Sequence, residues 1–207
     1  MNLDTVQGVL CMNKPTEFTS FDVIGKLRGI LHMRRLGHTG TLDPMATGVL
    51  PVLVGKATRA CDILPDQTKS YRAAVQFGWE TDTEDVWGIR TAAYPEMHVT
   101  KEMLDEVIPR FLGEIQQIPP MYSAIKIGGK KLYELARAGK EVERAPRPVT
   151  IHALEVVEQT GPNCYTLRVR CSKGTYVRTL CHDIGRALGC GGCMSGLRRT
   201  MAAGFKL

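Results

Sequence analysis

No run of about eighteen consecutive apolar residues occurs anywhere in the 207-residue sequence, which excludes a membrane-spanning helix. The opening Met1-Asn2-Leu3-Asp4 has neither the basic start nor the apolar stretch of a secretory signal, so none is expected. Internal repeats and low-complexity tracts are missing. No linker is clear enough to divide the chain, so one domain over residues 1–207 is expected, long enough to bury a sizeable core. Metal-ligand spacing is scarce as well. Cys190-Gly-Gly-Cys193 is a lone C-x-x-C that could be redox-active or half of a zinc site, but no second pair and no His-x₃-His lies near it. No metal is therefore expected. Seven cysteines, an odd number in a chain too long to need covalent staples, predict reduced thiols and a cytoplasmic location.

Carboxylates are missing from whole segments. Residues 26–38 hold four basic side chains and no acidic one; residues 165–207 hold eight against one, and residues 126–148 seven against three. Residues 80–114 reverse this, with nine acidic and three basic side chains, while the net charge of the chain is +6. Segregation of this kind predicts either a footprint for a polyanion, with nucleic acid the leading candidate, or simply a solvated basic face.

Regular elements are legible between the breakers. Gly8–Met12 is a short apolar run that predicts a strand. Apolar spacing at Val23, Ile24, Leu27 and Ile30/Leu31 predicts a helix over 20–32, with Ser20 as its N-cap. Val49–Val54 predicts a buried strand, with Pro51 at its start or on a sheet edge. Strict alternation over Ser70–Phe77 puts Tyr71, Ala73, Val75 and Phe77 on one face. A helical stripe capped by Thr100 should be shortened by Pro109. Residues 126–148 read as an exposed excursion with a helical patch around Leu132–Ala136. Two strands, 149–157 and 165–171, flank a turn at 161–163, and a helix over 176–188 stops at Gly189. Strands and helices mixed in this order favour α+β over a regular βαβ sheet.

Between the first helix and the second strand lies Gly37-His38-Thr39-Gly40-Thr41-Leu42-Asp43-Pro44-Met45-Ala46-Thr47-Gly48. Glycine and proline at this density cannot continue either neighbour, so a polar loop is expected. Asp43 is its one carboxylate. Taken alone it could be a reactive group held on a rigid loop, or merely the residue that opens a turn before Pro44.

Arg35-Leu36-Gly37-His38-Thr39-Gly40-Thr41-Leu42-Asp43-Pro44 resembles the catalytic-aspartate motif of the TruB family of tRNA pseudouridine synthases. Six further pieces match in the family's order: Asn13-Lys14-Pro15 with Thr19-Ser20; Lys69-Ser70-Tyr71-Arg72; Thr81-Asp82-Thr83 with Asp85; Ile118–Ala124; Ser172–Thr179; and Leu197-Arg198-Arg199-Thr200. The resemblance runs from about Gly8 to Phe205. It implies the pseudouridine synthase fold, an α+β arrangement with a central, mostly antiparallel mixed sheet, flanking helices and an RNA-binding cleft. It also implies isomerisation of the T-loop uridine at tRNA position 55.

Such a reaction breaks an N-glycosidic bond, turns the uracil over and joins its C5 to C1′. Nothing is oxidised or reduced and no group is donated, so no cofactor is implied. The resemblance makes Asp43 the nucleophile, toward C1′ or C6 or through a glycal. It makes Arg178 the guanidinium that offsets burial of that carboxylate, Tyr71 a platform stacked on the extruded base, and Tyr176 a neighbour of the base and a candidate for the C5 proton. His38 would fill the space a flipped uridine vacates. Lys14, Arg34, Arg35, Lys126, Lys130 and Lys131 would meet phosphates, and Leu197 would pack against the floor of the site.

The implied partner is the tRNA T-arm stem-loop, with no membrane and no obligatory protein partner for a monomeric enzyme. A guide-RNA-dependent synthase and a non-catalytic tRNA-folding chaperone are the alternatives. Two departures stand out. Glu17 replaces the glycine of the family's Lys-Pro-x-Gly-x-Thr-Ser. The sequence stops at Leu207, where bacterial relatives continue into a C-terminal RNA-binding domain of the PUA type, which is expected to be absent.

Overall fold

The structure, a computed structural model, describes residues 6–61, 63–64 and 67–207. In chain order its elements are β1 (Gly8–Lys14), α1 (Ser20–Leu31), β2 (Leu36–His38), β3 (Thr47–Val54), β4 (Lys69–Phe77), β5 (Trp79–Thr81), β6 (Arg90–Ala93), α2 (Lys101–Val107), β7 (Gly113–Gln117), β8 (Lys126–Ile127), β9 (Lys130–Lys131), α3 (Leu132–Arg137), β10 (Arg147–Gly161), β11 (Cys164–Cys171), α4 (Val177–Ala187), β12 (Gly192–Ala202) and β13 (Phe205–Lys206). Strands and helices are mixed as expected, and the class is α+β. No helix among the described residues is long and apolar enough to cross a membrane.

Two compact units divide the chain: residues up to Arg72 with Gly196–Leu207, and Ala73–Ser195. In the first, β1 runs antiparallel to β3 from Gly8↔Val54 to Lys14↔Gly48. β2 pairs antiparallel with β3, and β12 parallel to it at Arg198↔Thr47 and Arg199↔Gly48. Helix α1 buries Val23, Ile24 and Leu27 against Met33, Leu36, Leu50, Val52 and Val54. Of the alternatives Ile30 and Leu31, Leu31 takes the partly buried position and Ile30 is exposed.

The N-cap of α1 is Thr19, not Ser20. Thr19 Oγ1 accepts the Asp22 N–H at 3.0 Å while Asp22 Oδ2 accepts the Thr19 N–H at 2.8 Å, so both orphan donors are satisfied reciprocally. Pro51 is mid-strand, not at a start or edge. The carbonyl and the missing N–H of one strand residue face the same side, and the Pro51 carbonyl takes the Thr39 N–H just past the last rung of β2. The absent donor therefore costs β1 nothing.

In the second unit β10 pairs antiparallel with β11 on one side and β7 on the other, and β4 neighbours β11. Its core takes the inward face of β4 (Ala73, Val75, Phe77) with Tyr165, Leu167, Val169, Leu180 and Ile184. Thr100 caps α2, which gives way to a 3-10 turn over Ile108–Phe111, where Pro109 denies the next helical N–H. Residues 126–148 hold the small β8–β9 hairpin and α3.

Candidate active site

In the first unit, the main chain around Asp43 is bonded residue by residue. The Gly40 and Thr41 carbonyls accept from Arg199 Nη2 and Nη1 at 3.1 and 3.3 Å, and Arg199 Nε reaches the Val49 carbonyl at 2.7 Å. The Leu42 N–H and carbonyl both meet Ser20 Oγ, at 2.8 and 3.2 Å. The Asp43 carbonyl accepts the Ala46 N–H at 3.0 Å, and the Pro44 carbonyl accepts Lys14 Nζ at 3.0 Å. Asp43 thus opens a turn before Pro44 and is also a half-buried carboxylate on a loop held from several directions. Gly48 ends the loop at φ +103°; a Cβ there would lie 2.1 Å from the Arg199 carbonyl, so only glycine admits the close approach of β12.

Lys14, expected at a phosphate, is 1% exposed. Its ammonium donates to the carbonyls of Pro15, Phe18 and Pro44, leaving it no path to a phosphate. Burial pulls its pKa below the ordinary lysine value, with the Asp43 carboxylate opposing that fall. The departure at Glu17 is resolved in the same turn, where Glu17 takes the left-handed conformation at φ +66° that glycine would adopt without strain. His38 is half-buried on β2, and among the described residues its Nδ1 has no hydrogen-bond partner. Burial, then the charge of Arg199, lower its pKa, so the ring is neutral at pH 7. Tyr71 is buried on β4, while Arg34 and Arg35 are exposed, Arg35 Nε donating to Thr58 Oγ1 at 3.0 Å. Leu197 is half-buried on β12.

In the second unit Arg178 is 7% exposed at the start of α4, far more enclosed than a surface cation. Nη1 donates to the Thr83 carbonyl at 3.0 Å and meets Asp85 Oδ2 at 3.4 Å, while Nη2 donates to the Tyr122 carbonyl at 2.9 Å. Asp85 is steadied in turn by Thr83 Oγ1 at 2.7 Å. Tyr176 precedes α4, and buried Gln117 grips its backbone with both ends of the amide, at 3.0 and 3.2 Å. Neighbouring Thr179 donates to Glu84 Oε2 at 2.6 Å; burial pushes that carboxyl above its usual range. Lys126 and Lys130 are exposed on the hairpin, whereas Lys131 is half-buried with Nζ 3.2 Å from the Tyr133 hydroxyl.

Ser20, Gln117 and Arg199 are the site residues that residue-by-residue reading passed over. Of these, Arg199 reads in sequence like any surface cation, and its burial on β12 is what sets it apart. The C-x-x-C pair has a packing explanation. Cys190 and Cys193 are fully buried, Gly191 takes φ +66°, and a Cβ on Gly185 of α4 would lie 2.3 Å from the Gly191 carbonyl carbon. Burial raises both thiols, which suits inert side chains. Among the described residues no group of three or more His, Cys, Asp or Glu could hold a metal.

Residues 28–177 match the family model described as TruB family pseudouridylate synthase (N terminal domain), and residues 178–207 the model described as tRNA pseudouridylate synthase B C-terminal domain. The chain is 52% identical over 200 residues to the tRNA pseudouridine synthase B of Azoarcus sp. strain BH72, covering 97% of this chain and 66% of that protein. The corresponding protein of Aromatoleum aromaticum is 52% identical over 98% of this chain and 65% of its own. The chain therefore spans about two thirds of the length of these curated relatives. Among solved structures, one described as a Cbf5-Nop10-Gar1 complex matches at a TM-score of 0.74 and 34% identity, covering 96% of this chain and 50% of that one.

Proposed function

The chain belongs to the TruB family of pseudouridylate synthases, and from that premise we propose that it isomerises the T-loop uridine at tRNA position 55 to pseudouridine. The observation that carries this reading is the similarity, over nearly the whole chain, to relatives named tRNA pseudouridine synthase B. The geometry around Asp43 supports it, since a nucleophilic carboxylate works best from a backbone that does not have to reorganise.

The Asp43 carboxylate attacks the flipped uridine at C1′ or C6. The N1–C1′ bond breaks, the uracil turns while retained in the site, C5 joins C1′, the bond to Asp43 is released, and the proton lost from C5 is balanced by one gained at N1. Tyr71 stacks on the extruded base and Tyr176 lies beside it. Arg178 supplies a guanidinium that keeps its charge when buried, already fixed in its own unit by Asp85 and two carbonyls. His38, neutral and half-buried, replaces the flipped base in the loop. Arg34, Arg35, Lys126, Lys130 and Lys131 meet phosphates, and Leu197 lines the floor. No cofactor enters this redox-neutral chemistry, and the RNA is bound without an obligatory protein partner.

A guide-RNA-dependent synthase is the second reading, favoured by the likeness to the protein of the Cbf5-Nop10-Gar1 complex. One experiment separates the readings: the purified chain is incubated with an unmodified tRNA transcript and nothing else, and pseudouridine is mapped by chemical sequencing. Conversion at the T-loop uridine alone is the expected result. No conversion until a second RNA or protein is added would favour the guide-dependent reading, and tRNA binding with no conversion at all would leave a chaperone.

A further inference from the structure

Among the described residues, five consecutive carbonyls, from Gly40 to Pro44, each accept a hydrogen bond, and one of the donors belongs to the loop's own main chain. That donor is the Ala46 N–H, which closes the turn on the Asp43 carbonyl. The others are side chains from three distant elements: Arg199 of β12 on Gly40 and Thr41, Ser20 of α1 on Leu42, and Lys14 of β1 on Pro44. Arg199 reaches past the loop as well, to the Val49 carbonyl in β3, so one guanidinium ties the strand after the loop to the residues before Asp43.

Isolated loops do not bond this way. A polar loop ordinarily leaves its carbonyls to water. Here Arg199 is fully buried at 0% exposure and Ser20 at 2%, so both have given up water for these contacts. A buried guanidinium usually pairs with a carboxylate. Arg199 instead spends its donors on three main-chain carbonyls, an arrangement better suited to fixing a backbone path than to compensating charge. Its planar fork matters to that geometry, because Nε, Nη1 and Nη2 point in set directions and a lysine ammonium cannot span the same three acceptors. Ser20 does the complementary work next to Asp43, since one hydroxyl accepts the Leu42 N–H and donates to the Leu42 carbonyl.

We propose that Arg199 and Ser20 are positioning residues for the reaction, holding the main chain on the N-terminal side of Asp43 so that its carboxylate meets the flipped uridine without rearrangement. The inference rests on Asp43 being the nucleophile. Neither residue touches the RNA; both act on kcat through the loop. A misplacement of about 1 Å at a reacting group lowers a rate by about a hundredfold, which sets the scale of the effect.

The test compares Arg199→Lys, Ser20→Ala and Asp43→Asn with wild type on an unmodified tRNA transcript, measuring single-turnover rate, tRNA Kd and thermal midpoint. Arg199→Lys keeps the charge and loses the fork, and should turn over about ten- to a hundredfold more slowly. Ser20→Ala should be several-fold slower, with Kd within twofold of wild type for both. A merely structural role would lower the thermal midpoint and leave the rate per folded molecule unchanged. If Arg199→Lys fails to fold, the smaller Ser20→Ala change decides. Rates within twofold of wild type in the folded variants, beside an inactive Asp43→Asn, would overturn this inference alone. Turnover by Asp43→Asn would overturn the nucleophile assignment on which it rests. Rate and affinity falling together by the same factor would also overturn it, since that would place Arg199 and Ser20 in RNA binding.

Discussion

At the scale of single residues, the chemistry proposed here concentrates on one carboxylate. Asp43→Asn keeps the shape of the side chain and the turn it opens, but an amide cannot serve as an ionised nucleophile. Multiple-turnover conversion should disappear while tRNA affinity and the thermal midpoint stay near wild type; measurable turnover with deamidation excluded would remove Asp43 from that role. A second residue-level consequence concerns Glu84. Burial raises its carboxyl above the unfolded value of 4.5, so the stability it contributes is complete below that pH and is lost as pH rises through the folded value. Glu84→Gln removes this loss and can still accept the Thr179 hydroxyl. The variant should therefore melt above wild type at pH 7–8, with the difference vanishing near pH 4. A midpoint difference that is equal at both ends would rule out titration of Glu84 as its source. His38 works in the opposite sense: its lowered pKa gives stability present above about 6.5 and lost as pH falls.

At the scale of elements, two local devices place the loop. The Thr19–Asp22 box caps α1 from the residue before Ser20, so the Ser20 hydroxyl is spared from capping and turns to Leu42. Thr19→Ala should cost about 0.5–2 kcal/mol in urea unfolding. The second device is the approach of β12 to β3 at Gly48. Gly204, at φ +78° with open space around its Cβ position, provides a control for the backbone term alone. Gly204→Ala should cost about 1–2 kcal/mol for the left-handed conformation. Gly48→Ala adds a 2.1 Å collision with the Arg199 carbonyl and should cost distinctly more. Equal losses in the two variants would mean that β12 can withdraw freely.

At the scale of the molecule, charge is distributed by segment, with the acidic stretch 80–114 set against the basic segments 26–38, 126–148 and 165–207. Exposed cations and buried ones divide the work. Lys126 and Lys130 on the hairpin are exposed and suited to phosphate contacts, whereas Lys14 and Arg199 are spent on main-chain carbonyls. Replacing Lys126 or Lys130 with alanine should flatten the plot of log affinity against log salt by about 0.7–0.9 per residue and leave kcat at saturating tRNA unchanged. A salt slope identical to wild type would take that lysine out of the phosphate footprint.

Much of this was legible in the residues themselves, because it depends on local rules. Alternation over Ser70–Phe77 required a strand, Thr100 and Pro109 bounded α2, and the glycines around Asp43 required a loop between α1 and β3. The family motifs mark Asp43, Tyr71, Tyr176 and Arg178 as candidates. Other features depend on what arrives from elsewhere in the chain. Pro51 could be mid-strand because β2 ends one rung away, and Thr19 displaced Ser20 as the cap because Asp22 reached back to it. Lys14 and Arg199 look alike in sequence to any surface cation, and only burial against specific carbonyls separates them from Lys126 and Lys130. The sequence by itself determined which residues are candidates for the chemistry and where the chain must bend. Tertiary structure alone decided which cations face solvent and which hold the Asp43 loop, since desolvation and hydrogen-bond geometry are set by neighbours up to 159 positions away along the chain.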